Sequence, residues 1–207
     1  VPSELTIEAV PLVLQKCMET LNKPANEDEI IMAAQVAALG LFTDMAAGIK
    51  SNFAPYLETV VNAIEKTINE YKLVPAHDLD DDDDDEDDEE GVTPLPKAVE
   101  AFFELHQAAC DFFISIDQGL IGKLKPELLQ KMLAIATFEI SIAVSSKAME
   151  ILYEDYYVSL LTMYQALPKL GIKAPAKCAD QIKRIAIKLK KNCDSDEVKA
   201  ALKAIKM

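Results

Sequence analysis

The chain has 207 residues, half of them hydrophobic, and a formal net charge of −14. That apolar content is enough for a packed core and excludes a wholly disordered chain. The four cysteines form no Cys-x-x-Cys pair and have no histidine at ligand spacing, which argues against a structural zinc and for free thiols in a reducing compartment.

The N-terminal VPSELTIEAV lacks the basic and apolar regions of a signal peptide, and no uninterrupted apolar run approaches the ~18 residues needed to cross a bilayer. A protein of the cytoplasm and nucleus is expected. With six glycines and no Asn-Gly or Asp-Gly turn, hairpin signals are missing, while apolar residues recur at intervals of three and four. Leu5, Val13, Cys17 and Leu21 define one helical face; Ile30, Ala34, Ala37 and Leu41 define another. Breaks are expected at residues 22–26, 48–52, across the acidic run, at 119–126 and at 168–175. The fold class is therefore all-α.

Two of these helices start alike. AVPLVLQKCMETLN and FAPYLETVVNAIEKTIN carry Pro11 and Pro55 in their first turns, 44 residues apart, and the same shift superimposes Val13 on Leu57 and Cys17 on Val61. Such a period lies within the ~40 to 47 residues of HEAT repeats, helix pairs that bury one face only against the next pair. The intervening DEIIMAAQVAALGLFTDMAAGI resembles the second helix of a HEAT repeat at Asp28, Ile31, Ala38, Leu39 and Gly40; Met32 and Gln35 stand where that pattern has arginine and alanine. A HEAT-like α-α superhelix of antiparallel helix pairs is expected.

The next feature is HDLDDDDDDEDDEEG, with twelve carboxylates between Asp78 and Glu90: Asp78, Asp80, Asp81, Asp82, Asp83, Asp84, Asp85, Glu86, Asp87, Asp88, Glu89 and Glu90. Outside it, 23 acidic residues face 21 basic ones, so the acidity is local. Adjacent carboxylates repel and demand water, so residues 77–94 are expected to form a disordered acidic loop between helical segments at 1–76 and 95–207. The run is not an EF-hand: with Asp80 as the first position, Asp85 falls where the loop requires glycine.

Beyond the run, AVEAFFELHQAACDFF places Phe102 and Phe103 ten residues before Phe112 and Phe113. These rings are expected to be mostly core, although two such pairs cannot all face one side of a helix, which leaves room for a ring edge at a groove. His77 and His106 stand alone, at the acidic run and at the edge of a core. Glu154 and Asp155 read as a solvated helix start. No phosphate-cradling glycine loop, nucleophile signature or Glu-x-x-His pair is present, so no catalytic residue, cofactor or metal ligand is assigned. From Lys169 onward eleven basic residues face four acidic ones, and IKRIAIKLKK sets Ile182, Ile185, Ala186 and Leu189 against Lys183, Arg184, Lys188, Lys190 and Lys191. One arginine and no interleaved aromatic argue against a nucleic-acid surface and for a terminal helix with a solvated basic face.

FAPYLETVVNAIEKTINEYKL followed by the acidic run resembles the importin-β (karyopherin-β) superfamily, through Phe53, Pro55, Tyr56 and Leu57 and the carboxylates behind them. The resemblance covers residues 28–150. It implies a HEAT-repeat transport receptor segment that binds basic cargo or the Ran GTPase through the acidic residues Asp78 to Glu90 and a concave helical face, with Phe-Gly nucleoporins as further partners and no membrane. The other expectation is an acidic scaffold or histone-chaperone-like interaction protein without transport activity.

Overall fold

The computed structural model describes residues 7–24, 29–75, 95–120 and 124–205. Among them every regular element is helical: α1 (Val10–Leu21), α2 (Glu29–Ile49), α3 (Ala54–Glu70), α4 (Lys97–Ser115), α5 (Pro126–Ala143), α6 (Ser146–Ile151), α7 (Glu154–Ala166), α8 (Ala176–Asn192) and α9 (Asp196–Ala204), with short 3₁₀ turns between some of them. The local signals explain the boundaries. Pro11, Pro55 and Pro126 occupy the first turns of α1, α3 and α5, where the missing amide would have had no intrahelical partner. Ser145 and Ser195 accept hydrogen bonds from the Ala148 and Val198 amides at 3.4 and 3.2 Å, capping α6 and α9. Gly171, at φ 75°, ends the Leu167–Leu170 turn in the left-handed region that glycine enters without strain. Lys50 and Leu152 adopt the same region with a Cβ attached.

The helices pack in two rows. In one, α2 lies on α4, α4 on α7 and α7 on α9; in the other, α1 meets α3, α3 meets α5 and α5 meets α8. Cross-contacts join the rows, α1 to α2, α3 to α4, α5 to α7 and α8 to α9. The two helices related by the 44-residue shift, α1 and α3, thus neighbour each other in one row and turn Cys17 and Val61 into the same core. One hydrophobic cluster runs from Val10 to Ile205.

Helix α4 is touched by α2, α3, α5 and α7, and its aromatic pairs are core residues, as expected. Phe102, Phe103, Phe112 and Phe113 are all buried, with no ring edge left at a groove. A helix enclosed on several sides can bury both faces. The rings meet at edge-to-face and tilted angles, Phe102 on Phe103 at 5.4 Å and Phe53 on Phe112 at 6.1 Å, while Phe103 stacks on Tyr153 at 5.4 Å.

The buried face of α2 also differs from the one expected. Met32, Leu39, Phe42 and Met45 point into the core, whereas Ile30 is 81% exposed, Leu41 is 40% exposed and Ala37 is exposed. The stretch beginning at Ile30 reaches a mean hydropathy of 1.7 over 18 residues and is long and apolar enough to cross a membrane, which corrects the count of uninterrupted apolar runs. A core helix meets the same criterion, and α2 buries one face as such a helix against α1 and α4.

Candidate functional site

The twelve carboxylates Asp78 to Glu90, and His77 beside them, lie outside the described residues. Their flanks do not. Val74 is buried and Leu95 packs on the core, so both ends of the acidic run leave from fixed points. Tyr71 holds the first of these ends. Its hydroxyl donates to Gln35 Oε1 at 2.7 Å, and its carbonyl oxygen accepts from His106 Nε2 at 2.9 Å.

His106 is therefore a core residue of α4, not the core-edge residue expected. Its other nitrogen, Nδ1, faces both carboxylate oxygens of Glu139 on α5, at 3.0 and 3.1 Å, and neither side chain has an exposed atom. A carbonyl can only accept, so Nε2 carries a hydrogen, and one further proton lies between Nδ1 and the carboxylate. Wherever that proton sits, the pair is neutral as a whole. Tyr156 on α7 completes the network by donating to the Glu139 carbonyl at 2.9 Å and to Oε2 at 3.2 Å. Burial first, and the Glu139 charge second, push this phenol well above its usual range and keep it a donor. His106, Glu139 and Tyr156 are closed to solvent, and through the half-buried Tyr71 and the buried Gln35 the network ties four elements to the segment that follows α3. Sequence reasoning missed Glu139, although a carboxylate inside IATFEISIA, with apolar residues on every side, was the available signal.

The exposed stripe of α2 borders two hollows against α4. One, of about 480 Å³, is lined by Ala37, Gly40, Leu41, Asp44, Ala108 and Asp111; the other, of about 260 Å³, by Ile30, Ala33, Lys97, Glu100, Ala101 and Glu104. Small residues on both helices create the space. Carboxylates line its edge. Burial and then the neighbouring Glu100 raise the Glu104 carboxyl above its ordinary value. Burial raises Asp111 as well, against hydrogen bonds from Ser159 and Gln107, with Asp155 adding repulsion. Tyr153 is raised by burial and by Glu104, Glu100 and Asp155 together. These shifts share one cause: the edge concentrates negative charge beside a partly desolvated apolar stripe.

A second groove of about 480 Å³ opens between α7 and the chain's far end, lined by Tyr164, Leu167, Pro168, Ile172, Lys173 and Ile205. Among the described residues no carboxylate lines it. Glu154 and Asp155 form the first turn of α7, as expected; Asp155 is exposed, whereas Glu154 is half-buried. Helix α8 buries Ile182, Ile185, Ala186 and Leu189 and exposes Lys183, Arg184, Lys190 and Lys191, also as expected, while Lys188 is half-buried. All four cysteines are free thiols. No group of three or more His, Cys, Asp or Glu among the described residues is placed to hold a metal ion. Compared with family models, curated proteins and solved structures, the chain finds no match.

Proposed function

We propose that the chain is a HEAT-like α-α superhelix related to the importin-β superfamily, and that it is a protein-binding module that takes up basic segments of other proteins. The carrying observation is the exposed apolar stripe from Ile30 to Leu41 with the carboxylates Glu100, Glu104, Asp111 and Asp155 along its edge. An apolar seat with an acidic rim complements a segment that alternates apolar and basic side chains, and it disfavours an acidic one. The superhelix reading draws support from the two helix rows and from the neighbouring positions of α1 and α3. Met32 departs from the HEAT pattern, since it is buried where that pattern carries arginine, and the buried Gln35 binds Tyr71.

In this reading the acidic run 78–90 works as a tether that raises encounter rates with basic cargo, the α2–α4–α7 face supplies the seat, and no catalytic step is involved. Ran and Phe-Gly nucleoporins are the further partners, in cytoplasm and nucleus. The test uses a fluorescent lysine-rich import-signal peptide and its anisotropy on the full chain. Glu104→Lys with Asp111→Lys is expected to weaken binding about tenfold, since exposed pairs contribute up to ~1 kcal/mol each. Unchanged affinity would overturn the seat. Weakening only when Asp80 to Asp85 become serine would instead favour the acidic scaffold or histone-chaperone-like reading, in which the helices are a platform.

A further inference from the structure

We propose that the outward face of α8 is the docking surface for this chain's own acidic run, residues 78–90. The helix carries Lys177, Lys183, Arg184, Lys188, Lys190 and Lys191 against a single carboxylate, Asp180, and that one reaches Lys183 only at 3.9 Å. Its apolar residues are spent on the core, except Ile187, which is 69% exposed among the basic side chains. A cationic face of this density repels itself, and an anion laid along it relieves the repulsion. The run from Asp78 to Glu90 is the only stretch of the chain with matching charge, twelve carboxylates in thirteen residues.

The topology puts the two within reach. Helix α3, which leads into the run, and α8 belong to the same row with α5 between them. Two helix spacings of 8–10 Å separate their axes by about 20 Å. The contour length of residues 76–94, between the anchored Val74 and Leu95, is at most about 60 Å, so the middle of the run can reach up to about 30 Å from its base. Tethering holds the run near α8 at an effective concentration on the order of millimolar, which makes the intramolecular contact win over a second copy in dilute solution. This does not depend on any cargo: a run with no external partner would dock in the same way. A single arginine and the lack of aromatics on the face disfavour an oligonucleotide as the occupant.

Carbodiimide coupling of the full chain tests this, because it joins a carboxylate to a lysine only when the two touch. The Glu58–Lys125 pair, 3.3 Å apart across α3 and α5, serves as the internal control. In the monomer at about 50 mM salt, the carboxylates of 78–90 are expected to couple to Lys183, Lys190 and Lys191 at least tenfold more than to Lys16 or Lys147, and this excess is expected to fall about tenfold at 0.5 M salt, where screening shortens to a few ångströms. Coupling found only in covalent dimers, or spread evenly over the chain's lysines, would overturn the proposal. As a second readout, replacing Asp80 to Asp85 with serine is expected to shift the Ile187 methyl resonances while leaving those of Ile68 on α3 in place. An unmoved Ile187 would overturn it equally.

Discussion

His106 Nδ1 and the Glu139 carboxylate meet at 3.0 and 3.1 Å with no exposed atom on either residue, joining α4 to α5 in the centre of the molecule. Removing one partner leaves the other polar and buried, which typically costs 3–5 kcal/mol, whereas replacing both with apolar groups of similar volume is often close to neutral. His106→Leu and Glu139→Met alone are each expected to lower unfolding free energy by about 3 kcal/mol or more. The double variant still strands the Tyr71 carbonyl, at about 1–3 kcal/mol, but it is expected to be at least about 2 kcal/mol more stable than the sum of the singles. Urea unfolding of the four proteins measures this, and strict additivity would show that the two groups do not interact.

Asp111 provides a pH test. Burial raises its carboxyl above the ordinary value, so the folded state holds the proton more tightly than the unfolded chain does. Its contribution to stability is then greatest below the unfolded value of about 3.9 and is lost as pH rises through the raised folded value. At pH 7 the charge is a net cost. Asp111→Asn is expected to raise the urea midpoint at pH 7, and the advantage over the parent is expected to shrink as pH falls toward 4. An advantage that grows on acidification would contradict the burial argument.

Cys193 is the half-buried thiol of the four, and burial, then the Glu154 charge, push it up to about 11. Because the thiolate is the nucleophile, iodoacetamide is expected to label it slowly at pH 7 and about tenfold faster for each pH unit up to 10. Glu154→Gln removes the repelling charge and is expected to speed labelling at pH 8. Mass spectrometry of the labelled chain reads both effects, and a rate independent of pH would refute the first.

Lys50 sits at φ 49°, where a side chain costs about 1–2 kcal/mol relative to a right-handed conformation, and it is exposed at the end of α2. Lys50→Gly is expected to stabilise the fold by up to about 1 kcal/mol, and Lys50→Ala to change little, since alanine keeps the Cβ. Thermal melts of the two variants distinguish relief of backbone strain from loss of the lysine charge.

What could be read without the fold was what depends on neighbours in sequence. Proline in a helix's first turn, the scarcity of glycine and apolar spacing are local signals, and they placed the all-α character, the starts of α1 and α3 and the buried face of α8, where apolar and charged residues alternate with full contrast. Helix α2 offers no such contrast. Apolar residues surround it, so periodicity selected Ile30, Ala37 and Leu41, and only the positions of α1 and α4 decided that Met32, Leu39 and Phe42 turn inward. The aromatic pairs of α4 were legible as core residues, but only the packing decided that none leaves a ring edge at a groove: two opposite faces cannot both be buried on a peripheral helix, but they can on one enclosed by four others. The partnership of His106 with Glu139 through one ring nitrogen, and with the carbonyl of Tyr71 through the other, joins residues more than thirty positions apart on different elements. No local pattern encodes that distance. It exists because the packing of α4 against α5 removes water from both groups, and two polar side chains that lose water in the same place must satisfy each other.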